Sequence, residues 1–280
     1  MIICGEGLVD LVPQNGAFTA ALGGGPYNVA IAAARQGAQV RFISRLSTDA
    51  FGEQLVQTLA QEGIDTTGIQ RGPEPTTLAL TNIGPDGSAT YTFYAEGTAD
   101  RLANPSLSET PSIACFGTVS LALEPAASRY IALAKHLHSV GCFVALDPNI
   151  RPFYATESHK ARLLDLIDHV DLLKLSEEED EFLGHPTAPV KVITRGGEGL
   201  EVHSLGKVFR VSAPAIEVAD TIGAGDTVMG AILAQLQAGA TEWEEIAQHA
   251  ANSAAVTCTR VGAQPPTREE VKAFLASVDN

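Results

Sequence analysis

The chain has 280 residues, enough for one large α/β domain or two ordinary ones and ample for a substantial core. Its formal charge of −15, from 33 acids against 18 Lys and Arg, argues against a nucleic-acid or anionic-membrane surface, which needs clustered cations. The four cysteines (Cys4, Cys115, Cys142, Cys258) show no CxxC spacing and the seven histidines no HExxH spacing, so no structural metal is expected and each thiol is read as a small core hydrophobe.

MIICGEGLVDL at the N-terminus reads as a strand without a basic lead, and no apolar stretch reaches membrane-spanning length, so the expected location is cytoplasmic. Val29 to Gln36 reads as a helix stopped by Gly37, followed by a strand at Val40 to Ile43. Asp49 is placed to cap a helix from Ala50 to Glu62, closed by Gly63. From Thr76 to Tyr94 the residues alternate on either side of Pro85-Asp86-Gly87, which predicts a β-hairpin. A hairpin among βα units lacks a helix layer to bury it, so it reads either as a small flap with the Gly16 to Leu22 strand or as a decorative edge. Pro125 opens a helix running to Val140 and Gly141; strands follow at Phe143 to Leu146, Leu172 to Leu175 and Val190 to Thr194, with helices after Gly225 and from Thr241. Strands alternating with helices predict an α/β fold: one doubly wound domain over 1–280 with a mostly parallel sheet flanked by helices.

The chemistry concentrates in Asp220-Thr221-Ile222-Gly223-Ala224-Gly225-Asp226-Thr227. Glycines let main-chain N–H groups converge on one point, and the helix that follows adds the positive end of its dipole, so the turn suits an anion. A carboxylate there, Asp226, would be repelled by bound phosphate unless it takes a proton from an attacking hydroxyl, which implies phosphoryl transfer. The competing reading is a loop shaped by Gly223 and Gly225, with Asp226 or Thr227 as a helix cap.

Other segments are individually weaker. Gly5-Glu6-Gly7-Leu8-Val9-Asp10 imitates a dinucleotide fingerprint but lacks the third glycine, and Asp10 would oppose a pyrophosphate. At the C-terminal end of a strand, Asp10 suits two adjacent sugar hydroxyls, or forms a turn. Asn28 either donates and accepts toward a ligand or caps a helix. The run Ser176-Glu177-Glu178-Glu179-Asp180-Glu181 reads as an acidic, solvated helix start. Arg151 either faces phosphates or pairs with Asp147.

DTIGAGDTVMG resembles the C-terminal motif of the ribokinase-like (PfkB) sugar kinases, and Gly23-Gly24-Gly25-Pro26-Tyr27-Asn28-Val29-Ala30 with Ser44 to Gly52 resembles their N-terminal motif. The resemblance runs from Gly5 to Pro265. It implies a ribokinase-like fold with a small inserted β lid, formed by about 13–22 and 73–100, over the sugar. It implies ATP and Mg²⁺, with Asp226 as base, Gly223, Ala224 and Gly225 as the rest of the catalytic turn, and the N–H groups of Ala224, Gly225 and Asp226 as the anion cradle. Asp10, Gly24 and Asn28 become sugar ligands, joined by Phe93 and Arg151. Thr194, Gly196 and Gly199 match a TxGxxG stretch along the nucleotide phosphates, and Asn252 a position near adenine. Where the family has Asn-x-x-Glu, this chain has Ser176 and Glu179; Glu179 would act on Mg²⁺ through water, and this departure, with Lys174, is familiar from the fructokinase-like branch. Members with a monovalent-cation pocket beside the turn extend the expectation to Asp220 and K⁺, with the loop Thr257 to Pro266.

Phe93 to Asp100 and Gly117 to Pro125 are most similar to fructokinases, which implies phosphorylation of fructose to fructose 6-phosphate. Ala95 stands where Arg is expected, which weighs against a carboxylated sugar unless Arg101 or Arg71 substitutes. The alternatives are a 2-keto-3-deoxygluconate kinase, a ribokinase, or a non-catalytic nucleotide- or sugar-binding regulator. An exposed lid edge would suit a homodimer.

Overall fold

Gly5, at φ 146°, interrupts the N-terminal apolar run after three strand residues, so MIICGEGLVDL forms two strands where one was expected. The computed structural model describes residues 1–14, 16–83 and 89–278. The expected Pro85-Asp86-Gly87 turn lies outside the described residues.

In chain order, β1 (Ile2–Cys4), β2 (Leu8–Gln14) and β3 (Ala17–Gly23) precede α1 (Gly25–Arg35), β4 (Arg41–Ser47), α2 (Ala50–Gln61) and β5 (Ile69–Gly72). Then come β6 (Leu78–Ile83), β7 (Ala89–Tyr94), β8 (Ile113–Gly117), α3 (Ala126–Ser139), β9 (Phe143–Asp147) and α4 (Glu157–Ile167). The chain continues through β10 (Leu172–Ser176), α5 (Glu177–Leu183), β11 (Val190–Thr194), β12 (Leu200–Ser204) and β13 (Lys207–Val211). It closes with α6 (Ala224–Gln237), α7 (Trp243–Cys258) and α8 (Arg268–Val278).

Nine strands form the central sheet in the order β13-β12-β11-β10-β9-β8-β1-β4-β5, parallel from β11 to β5, with β12 and β13 antiparallel at one edge. Apolar side chains alternate to both faces, as a sheet covered on two sides requires. Ile3, Val192 and Val202 pack with α1, α2, α6 and α7, whereas Ile2, Phe116 and Leu173 pack with α3 and α4 through Tyr130, Leu163 and Leu166. This is the doubly wound arrangement, in which ligands bind at the carboxyl ends of the parallel strands.

A separate four-stranded sheet, β3-β2-β6-β7, pairs β2 antiparallel with β3, parallel with β6, and β6 antiparallel with β7. No helix among the described residues is long and apolar enough to cross a membrane.

The packing of α1 on α6 positions the site. A Cβ on Gly230 would lie 2.8 Å from Ala33 N and 3.0 Å from Val29 O, so the bare glycine lets the two backbones approach. Gly230 follows Asp226 by one helical turn and Val29 follows Asn28, so this contact brings those two polar side chains together.

Candidate active site

The helix α6 starts at Gly223, whose φ of 78° is in the left-handed region, and no side chain caps it. Of the three N–H groups expected to form an anion cradle, that of Ala224 already donates to Thr221 O at 3.2 Å. Those of Gly225 and Asp226 lie in the first turn, where no preceding helical carbonyl accepts them. The cradle is therefore narrower than the motif suggested. Asp226 is 7% exposed, and its Oδ2 accepts a hydrogen bond from Asn28 Nδ2 at 2.9 Å. Burial raises its pKa; the Asn28 hydrogen bond and the Lys174 and Arg151 cations oppose that rise, and the Asp10 charge adds to it. Asn28 sits in the first turn of α1 instead of capping it, since the cap position is Gly24.

Asp226 and Asn28 line a cavity of about 850 Å³ together with Asp10, Gly24, Phe93, Arg151, Lys174, Gly223 and Gly225. Asp10 reaches it from within β2 of the small sheet, and not from the end of a core strand as the sequence suggested. Its Oδ2 lies where a Cβ on Gly23 would come within 2.7 Å, so the neighbouring strand leaves room for the carboxylate. Burial pushes the Asp10 pKa up to about 6, with Arg151 opposing. Phe93, on β7, stacks on Phe153 with ring centroids 4.3 Å apart and joins the small sheet to the loop after β9.

Asp147 does not pair with Arg151. Its Oδ2 accepts from Lys174 Nζ at 2.7 Å, and both side chains are buried. Burial works against the Lys174 ammonium, but Asp147, with Glu179 and Asp226, more than offsets it and holds its pKa above the ordinary value. The ammonium lies under the start of α6, 3.3 Å from where a Cβ on Gly225 would be. Arg151 makes no ion pair with any described residue and lines the cavity, so its guanidinium is available to a ligand.

Ser176 and Glu179 form a capping box at the start of α5: Ser176 Oγ accepts from Glu179 N at 3.2 Å, and Glu179 Oε2 accepts from Ser176 N at 2.7 Å. Glu179 Oε1 accepts from Ile150 N as well. The water-mediated metal contact expected of Glu179 thus competes with a structural one, because both oxygens already hold main-chain donors. No group of three or more His, Cys, Asp or Glu among the described residues is placed to hold a metal ion.

Ser176 and Thr194 are register partners at the carboxyl ends of β10 and β11, so Thr194, with Gly196 and Gly199 beyond it, continues the same edge of the sheet away from Lys174. Thr194 Oγ1 donates to Leu175 O at 3.3 Å. Asn252 is buried on α7 and accepts from Gln248 Nε2 at 3.1 Å. Asp220 ties two loops together, accepting from Ile222 N at 3.1 Å and Gly262 N at 2.8 Å. None of these five, nor Ser176, Glu179 or Ala224, lines the cavity.

The cavity wall also contains Glu6, Thr118, Asn149, Phe153 and Tyr154, none of which sequence reasoning selected. Thr118 and Asn149 have positive φ, 61° and 44°; asparagine is among the residues that adopt this conformation, whereas nothing about a β-branched threonine signals it.

Residues 5–270 match the family described as pfkB family carbohydrate kinase. This chain is a member of the pfkB carbohydrate kinase family. The kinase is 32% identical to a fructokinase of Rhizobium leguminosarum bv. trifolii over 85% of this chain and 79% of that one. It is 31% identical to fructokinase-1 of Oryza sativa subsp. japonica over 98% and 96% of the two chains. Among solved structures, it resembles a Vibrio cholerae fructokinase double mutant bound to fructose, ADP and potassium ion, with TM-score 0.87, 27% identity, and 98% and 97% of the chains covered. The fold also matches a Xylella fastidiosa fructokinase with bound ATP at TM-score 0.90 and 24% identity, covering 100% and 99%.

Proposed function

We propose that this kinase transfers the terminal phosphoryl group of ATP to the primary hydroxyl of D-fructose, giving fructose 6-phosphate and ADP. The observation that carries the proposal is the buried Asp226 carboxylate at the uncapped start of α6, bonded to Asn28 and facing a cavity shared with Asp10. Asp10 and Asn28 orient the sugar, and Asp226 accepts the hydroxyl proton. The Gly225 and Asp226 N–H groups, the α6 dipole and Lys174 stabilise charge on the transferring group. The nucleotide extends past Ser176 along Thr194, Gly196 and Gly199 toward Asn252.

The described residues offer no ready-made cluster for a divalent ion. Mg²⁺ would be held mainly by the nucleotide phosphates, and Glu179, whose two oxygens already accept the Ile150 and Ser176 N–H groups, would act on it only through water. When bound, it neutralises phosphate charge. K⁺ would be held beside Asp220, whose carboxylate already joins the turn before α6 to the 257–266 loop through Gly262 N. A second copy of the chain pairs along β3, an edge strand on which Phe18 is 57% exposed.

The charges favour a neutral sugar. Glu6, Asp10 and Asp226 all line the cavity against the single unpaired cation Arg151. Ala95 is buried, and Arg101 directs its guanidinium to Ala95 O, Glu124 O and Glu96, while Arg71 bonds Ser47 O and Glu53. Neither arginine replaces the cation that a sugar carboxylate needs. The names of the relatives in both comparisons support the same reading. An ADP-release assay over fructose, 2-keto-3-deoxygluconate, ribose and adenosine tests it: fructose is expected to give the highest kcat/KM, and a preference for the carboxylated sugar would overturn the assignment.

A further inference from the structure

Glu6 lies in the link between β1 and β2, where the chain passes from the central sheet to the small one. It is 2% exposed, yet it borders the cavity. Its carboxylate is held by the turn that follows β8: Thr118 Oγ1 donates to Oε1, and Ser120 donates to Oε2 through its Oγ and, at 3.2 Å, its N–H. Room for this arrangement is made by glycine. A Cβ on Gly24 would lie 2.9 Å from Glu6 O and 3.3 Å from Glu6 Cγ.

The residue held by Glu6 is itself unusual. Thr118 is β-branched and has a φ of 61°, a conformation that persists only where the surroundings enforce it. Such strain concentrates at functional sites, and Thr118 forms part of the cavity wall. An acid removed from water also needs a reason to be there, because a neutral side chain of similar volume would fill the space at lower cost. Burial pushes the Glu6 pKa up to about 7, against the pull of the Ser120 and Thr118 hydrogen bonds.

We infer that Glu6 is a positioning residue for the sugar: its carboxylate pins Thr118 in the left-handed conformation and locks the β8 turn to Gly24 and β2, fixing the wall against which Asp10 and Asn28 hold the substrate. This rests on the sugar-kinase reading. It assigns Glu6 to the sugar half of the cavity alone, so the nucleotide should not notice its loss.

The test measures steady-state constants and sugar-induced thermal stabilisation for the wild type, Glu6→Gln and Thr118→Gly. Glu6→Gln keeps the shape but has one acceptor oxygen: with that oxygen on Ser120, its NH₂ faces Thr118, whose hydroxyl must accept where it donated; Thr118→Gly removes the backbone strain and the hydroxyl together. The expected result is a sugar KM raised about tenfold or more in both variants, with the ATP KM within about twofold of wild type. Thr118→Gly should still unfold cooperatively, since relief of the backbone strain offsets part of the cost of the lost Glu6 contact; that separates positioning from a general loss of fold and keeps the test decisive if Glu6→Gln does not fold. Sugar and ATP constants that move together, or a sugar KM unchanged in Thr118→Gly, would overturn the inference while an active wild type left the kinase reading standing. A wild type that no sugar in the panel stabilises or converts overturns both.

Discussion

Asn28 donates its side-chain N–H to Asp226 Oδ2 at 2.9 Å across 198 residues of sequence. The contact joins the first turn of α1 to the first turn of α6 and leaves Asp226 Oδ1 as the oxygen with capacity to spare for a proton. An acid that merely capped its helix would fold its carboxylate back on the main chain, and α6 has no side-chain cap. Asp226→Asn keeps the volume and removes the proposed base. Turnover should fall roughly 100- to 10,000-fold. Nucleotide affinity and melting temperature should stay near wild type, since the change relieves a buried charge. A variant retaining a third of wild-type kcat would rule Asp226 out as the base.

The acid limb of the pH profile follows from the same contact. Burial holds the Asp226 pKa above the usual carboxylate value, while Asn28 first, then Lys174 and Arg151, lower it. As the proposed base, Asp226 works when ionised, so kcat/KM should fall as pH drops through its raised pKa. Deleting a group that lowers the pKa moves the limb to higher pH. Asn28→Ala should therefore lose activity at a pH where wild type is still ionised, beyond any pH-independent loss from weaker sugar contacts. Asp10, at about 6, adds a second effect: below that pH its carboxyl protonates and sugar KM should rise with kcat less affected. Profiles of kcat and kcat/KM between pH 5 and about 8.5 separate the two; an Asn28→Ala limb at or below the wild-type position would contradict the assignment.

Where the sequence was informative, a local chemical requirement explains it. Asp49 caps α2 through Gly52 N at 2.8 Å because a short acid can reach that donor, and Gly223 begins α6 because φ 78° suits glycine. The alternation of strands and helices was legible for the same reason, since burial on both faces writes apolar runs into the chain. What escaped depends on distant partners. Glu6 is an acid in an apolar stretch whose purpose lies at Thr118 and Ser120, 112 and 114 residues away. Two local signals went unused: Gly5 and Gly7 mark the break between β1 and β2, and Gly206, at φ 74° beside Leu205, marks the turn of the β12–β13 hairpin.

Glycines in the cradle make a prediction in which stability and activity part. Alanine is favoured over glycine inside a helix by about 1 kcal/mol, so Gly225→Ala should leave stability unchanged or improved. Its Cβ, however, would meet Lys174 Nζ at 3.3 Å, and that ammonium is already fixed by Asp147. Turnover should fall by about tenfold as the cation and the N–H groups lose their alignment. Gly223→Ala behaves differently: at φ 78°, and with its Cβ 2.7 Å from Ala263 Cβ, it should cost roughly 1–3 kcal/mol as well as activity. Urea unfolding and steady-state kinetics on both variants check the contrast. Equal stability losses would show that the cradle is only a loop.

Lys174 and Asp147 separate structure from catalysis most directly. Lys174→Met leaves Asp147 buried beside no cation, with its Oδ1 already lacking a hydrogen-bond partner among the described residues. Breaking a buried pair in this way costs about 3–5 kcal/mol. Removing the second charge as well, in Lys174→Met with Asp147→Asn, should return much of that stability, because a neutral pair carries little desolvation penalty. It should not return the rate. If the ammonium under Gly225 balances charge growing on the phosphoryl group, kcat stays low in the double variant while the urea midpoint recovers. A structural ion pair predicts the opposite coupling, with kcat restored in step with stability. The double-mutant cycle, measured once by unfolding and once by kcat, therefore assigns Lys174 to the reaction or to the scaffold.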